Sequence, residues 1–72
     1  MKTNLRNQRN LSNITQAALA EKVGVSRQTI NSIESSRYIP STVLALKIAQ
    51  VFEKTVEELF ILEEADYNNK VD

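Results

Sequence analysis

The chain has 72 residues, which is enough for one domain and close to the lower size limit for an unaided hydrophobic core. It contains no cysteine and no histidine, so disulfides, thiolate zinc sites and a histidine general base are excluded, and no loop has calcium-binding spacing. Formal net charge is zero, yet the charges are segregated. Residues 1–38 carry Lys2, Arg6, Arg9, Lys22, Arg27 and Arg37 against Glu21 and Glu34, a balance of +4, and residues 39–72 carry the matching −4. A basic face can meet phosphates while the acidic half points away. No stretch is apolar enough to span a bilayer and the first residues lack the apolar run of a signal peptide, so the expected compartment is the cytoplasm.

Glycine and proline occur once each, and the apolar spacing is helical nearly throughout. A first helix is predicted from about Thr3 to Ser12, anchored by Leu5 and ending near Asn13, which tolerates a left-handed cap. A second starts after Thr15, whose hydroxyl can cap a free amide, runs through Ala17, Ala18, Leu19 and Ala20, and stops at Gly24. A third begins after Ser26, with Ile30 and Ile33 as its inward stripe, and fades at Ser35 and Ser36. Tyr38, Ile39 and Pro40 form an extended link, because a residue before proline is pushed away from helical geometry.

Ser41 caps a fourth helix reaching Phe52. Its buried face combines Leu44, Ile48 and Val51 with Ala45, Ala49 and Phe52. Thr55 and Glu58 have capping-box spacing, so a fifth, short helix starts at Val56. The expected organisation is one domain over residues 1–63, followed by a polar, frayed tail over 64–72.

Function is concentrated in Gln16 to Glu34, QAALAEKVGVSRQTINSIE: two short helices separated by a tight turn. A small residue at Ala20 lets the helices approach, Gly24 permits a backbone angle that a side chain opposes, and Ile30 and Ile33 lock the second helix down. The product is a rigid helix held out from the surface, as a major groove requires. At its exposed start, Arg27 has the donors for guanine O6 and N7, and Gln28 can pair bidentately with adenine. Ser32, one turn past Gln28, is expected at a base edge, and Thr29 and Asn31 at bases or backbone. Gln16, Ser26 and Arg37 are expected at phosphates.

These segments resemble the phage-repressor and Cro-like helix-turn-helix family, also called xenobiotic-response-element-type regulators. The likeness covers about residues 3–62 and is carried by ITQAALAEKVGVSRQTINSIE, RYIPSTVLALKIAQVF and TVEELF. It implies an all-α, compact five-helix, lambda-repressor-like domain that binds as a homodimer to a palindromic operator and usually represses transcription. It also implies that Gln16 meets a phosphate, that Arg27, Gln28 and Ser32 meet base edges, and that Arg9 and Glu34 form a partly buried salt bridge. Three positions depart from the pattern. Gln8 falls where an apolar residue is usual, so the first helix is rotated or Leu11 supplies the missing contact. Ala17 and Ala18 replace an acidic pair. Glu53 replaces a common glycine, which points to a different turn.

The partner expected from this reading is double-stranded DNA, with no cofactor, no metal, no membrane and no catalytic residues, in a bacterial or phage-encoded protein. Residues 60 and 61 cannot easily both face one small core. Ile61, with Phe60 or Tyr67, is therefore expected to pack against a second copy. The alternatives are an antitoxin, using the same DNA face while residues 56–72 engage a toxin, and a protein-interaction module without DNA binding.

Overall fold

The computed structural model describes residues 1–68. In chain order the elements are β1 (Lys2–Thr3), α1 (Leu5–Leu11), α2 (Gln16–Val23), α3 (Arg27–Glu34), α4 (Thr42–Phe52), α5 (Val56–Leu59), β2 (Phe60–Ile61) and α6 (Glu64–Tyr67). The helices wrap one core built from Leu5, Leu19, Ile30, Ile33, Ile48 and Leu59, all almost wholly buried. Phe52 and Phe60 complete it from α4 and β2. The architecture is the expected all-α domain, with α2 and α3 as the helix-turn-helix.

Local chemistry sets the helix starts. Thr15, Ser26, Ser41 and Thr55 are each in extended backbone, and each hydroxyl accepts from an amide three residues on. Thr55 and Glu58 complete the reciprocal box, with the Thr55 amide donating to Glu58 Oε1 at 3.0 Å. Helix ends follow the backbone: Gly24 at φ 78° stops α2, and its amide donates to the Ala20 carbonyl at 2.9 Å. Asn13 also lies in the left-handed region, at φ 55°.

Four details differ from the sequence reading. The first helix starts at Leu5, not Thr3, because Lys2 and Thr3 pair antiparallel with Ile61 and Phe60. The Thr3 hydroxyl donates to the Leu59 carbonyl at 3.1 Å while accepting from the Leu5 amide at 3.1 Å. Leu11 is exposed and supplies no core contact; it lies six residues past Leu5, about 240° round the helix. Glu53 does not produce a different turn. It adopts the left-handed cap itself, at φ 53°. Residues 64–67 are helical instead of frayed, since the Glu63 amide donates to Asp66 Oδ2 at 2.8 Å and the Met1 amino group lies 3.0 Å from Glu63 Oε1 and 3.2 Å from Asp66 Oδ2. The remainder of the proposed tail, 69–72, lies outside the described residues.

Candidate nucleic-acid interface

Placement of the site begins with the back of α3. Ile30 and Ile33 are buried at 0% and 2% exposure, so the opposite face is turned outward. Arg27 and Gln28 stand exposed on its first turn. Gln28, Ser32 and Tyr38 line one open groove of about 430 Å³, together with Val25, Ser26 and Thr29. Gln28 and Ser32 share this groove because residues four apart are neighbours on a helix face. Tyr38 was not singled out from the sequence. It reaches the groove because its amide and that of Arg37 both bond to the Ser32 carbonyl, at 3.2 and 2.9 Å, folding the chain back over the end of α3.

The hydroxyls of Ser26 and Thr29 lie 2.9 Å apart, and Ser26 Oγ also accepts the Thr29 amide at 3.1 Å. Two hydroxyls sharing one bond retain one free proton between them, which is what a phosphate oxygen would take. Asn31 is half-buried, and its Oδ1 accepts from Arg37 Nη2 at 3.4 Å, so the exposed Arg37 guanidinium is held beside α3.

A second cluster lies behind this face. The Glu34 side chain is fully buried and collects donors from two other helices. Arg9 Nε donates to Oε2 at 2.7 Å and Arg9 Nη2 to Oε1 at 3.2 Å. Arg6 Nε reaches Oε1 at 3.3 Å and Gln16 Nε2 reaches it at 3.0 Å. Burial by itself raises the pKa of this carboxyl. Hydrogen bonds from Arg9, Gln16 and Arg6, with the charge of Arg9, outweigh that effect and hold it below its ordinary value. The same bond raises the Arg9 pKa. Sequence reasoning named the Arg9–Glu34 pair and missed Arg6, which sits three residues before Arg9 on the same helix face. It also placed Gln16 at a phosphate without the bond that one of its two amide N–H groups makes to Glu34.

In β2, strand alternation turns Phe60 inward, 7% exposed, and Ile61 outward, 47% exposed. Phe60 belongs to the chain's own core, so its side chain is not available as a docking surface. Ile61, Leu62 and Tyr67 are exposed.

Among the described residues no helix is long and apolar enough to cross a membrane, and no group of three or more acidic residues is placed to hold a metal ion. An outward helix seated on a buried isoleucine pair, preceded by a capped helix and a left-handed glycine turn, defines a helix-turn-helix DNA-binding domain.

Comparison with known proteins agrees. A profile of the helix-turn-helix family matches residues 5–59, and the chain belongs to that family, among the phage-repressor and Cro-like regulators. An uncharacterized HTH-type transcriptional regulator of Methanocaldococcus jannaschii is 52% identical over 64 residues, spanning 89% of this chain and 97% of that protein. The regulator YgzD of Bacillus subtilis is 44% identical, with the same two coverages, 89% and 97%. The cryptic phage CTXphi transcriptional repressor RstR of Vibrio cholerae is 36% identical over 59 residues, 82% of this chain and 53% of that protein. The chain is a transcriptional regulator with a helix-turn-helix DNA-binding domain.

Proposed function

We propose that the chain is a sequence-specific repressor that binds a palindromic operator as a homodimer. The observation that carries this reading is the exposed first turn of α3, Arg27 and Gln28, on a helix whose back is locked by Ile30 and Ile33. Arg27 and Gln28 read bases, and Ser32 meets a base edge farther along the groove. Thr29 and Asn31 contact bases or backbone. Gln16, Ser26 and Arg37 bind phosphates and set the register. The likeness to a phage repressor supports repression over activation.

One such module has a small footprint, about 600–1,000 Å² of protein surface. Two modules related by a two-fold axis double the contacts and select half-sites roughly 34–36 Å apart, one turn of the duplex. The exposed Ile61, with Tyr67, is the proposed subunit contact. Selection of bound duplexes from a random pool tests the whole reading. An inverted repeat recovered at moderate salt supports it, and a pool that stays random after selection defeats it.

A further inference from the structure

We infer that Glu34 is a positioning residue for DNA binding: its buried carboxylate pins one N–H of the Gln16 side-chain amide and so presents the other N–H to a phosphate. The inference rests on the proposed phosphate role of Gln16 and adds what orients that side chain.

Hydrogen-bond chemistry decides which way the amide faces. A carboxylate only accepts, so the 3.0 Å contact to Glu34 Oε1 must be made by Gln16 Nε2 and not by its oxygen. A phosphate also only accepts. A single amide nitrogen with two protons can lie between the two anions and satisfy both. A carboxylate at position 16 would repel both.

The cluster also fixes the main chain that carries Gln16. Arg9 Nη1 donates to the Ile14 carbonyl at 2.9 Å, two residues before Gln16, while Arg9 Nε holds Glu34 at 2.7 Å. Thr15 then caps α2 through the Ala18 amide at 3.0 Å. Gln16 is therefore held twice, through the backbone leading into it and through its own amide. No buried side-chain polar atom among the described residues is left without a partner, so the Glu34 carboxylate has its donors before DNA arrives.

A glutamine ordered in the free protein loses less rotamer freedom on binding. Immobilising such a side chain weakens binding by about two- to tenfold, and pre-ordering saves that factor. Shortening the acid by one methylene keeps its charge and draws its oxygens away from Gln16, Arg9 and Arg6 alike, so Glu34→Asp changes geometry at constant charge, and the Gln16→Ala background isolates the part that acts through Gln16.

The experiment is a double-mutant cycle of duplex affinity on Glu34→Asp and Gln16→Ala, run at a temperature where circular dichroism shows all four proteins folded. It is paired with side-chain amide relaxation of Gln16 in the unmodified, DNA-free protein. Glu34→Asp is expected to weaken binding about threefold in the wild-type background and not at all beside Gln16→Ala. The Gln16 amide is expected to be as ordered as the backbone before DNA is added. An equal loss from Glu34→Asp in both backgrounds overturns the inference, and so does a mobile Gln16 amide. The relaxation measurement needs no variant and decides the matter if Glu34→Asp fails to fold. Full affinity in Gln16→Ala itself overturns the phosphate role on which the inference stands, and is distinguishable from the additive outcome.

Discussion

Arg27 and Gln28 differ from Arg37 in what their loss should do. Bidentate base contacts discriminate by about 1–3 kcal/mol each, so Arg27→Ala and Gln28→Ala should each weaken the preferred operator by that amount and narrow its margin over scrambled DNA. Arg37→Ala should weaken both duplexes evenly, because a phosphate contact carries no sequence information. Titrations on the two duplexes check this, and full operator selectivity in all three variants would reverse the assigned orientation of α3. Glu34 makes a separate prediction. Its carboxyl is held below its ordinary value in the folded chain, so the folded state binds its proton less readily than the unfolded state. Its contribution to stability is present above the unfolded value of 4.5 and is lost as pH falls through the lower folded value. Thermal melts taken downward through the carboxylate range should drop more steeply for wild type than for Glu34→Gln. Parallel curves would mean that Glu34 titrates alike in both states.

At the scale of elements, the left-handed ends of α2 and α4 are filled by different residues. Gly24 pays no steric penalty at φ 78°, whereas Glu53 occupies φ 53° with a side chain attached. The left-handed conformation costs a non-glycine residue roughly 1–2 kcal/mol. Part of that is offset by the greater freedom glycine loses on folding, so Glu53→Gly should stabilise the domain by about 1 kcal/mol or less. In a chain this small that is a rise of a few degrees in Tm. Gly24→Ala should do the reverse. A Cβ there meets nothing within 4 Å, so the loss comes from the backbone angle and not from a clash. Melting curves of the two variants run in parallel provide the check, and a fall in Tm for Glu53→Gly would refute the strain argument.

At the scale of the whole molecule, the charged side chains on the outward face of α3 and around the C-terminal turn differ in sign. The basic residues Arg27 and Arg37 lie with the outward face of α3, and Glu63, Glu64 and Asp66 lie around the C-terminal turn. The exposed Ile61 on β2 and Tyr67 at the end of α6 flank that turn, which leaves the proposed subunit contact on segments other than α3. Ile61→Asp should shift sedimentation toward monomer at matched concentration and leave the fold intact, since Ile61 faces outward. It should also weaken operator binding, because two linked half-sites bind more tightly than one. An unchanged association state in a folded variant removes Ile61 from the interface.

Much of this was legible from the residues alone. The four capped helix starts, the left-handed Gly24, the inward Ile30 and Ile33 and the pairing of Arg9 with Glu34 follow from short-range spacing or from the family pattern. The caps, the glycine turn and the isoleucine stripe lie within a few residues or repeat with the helical period, and so leave a local signature, whereas Arg9 and Glu34, 25 residues apart, were legible only through the family pattern. The pairing of β1 with β2, the contacts of the Met1 amino group that anchor residues 64–67, the inward turn of Phe60 and the joining of Arg6 and Gln16 to Glu34 had no such signature. Each brings together residues far apart in the chain, and only the packing of the helices around one core determines which of them meet.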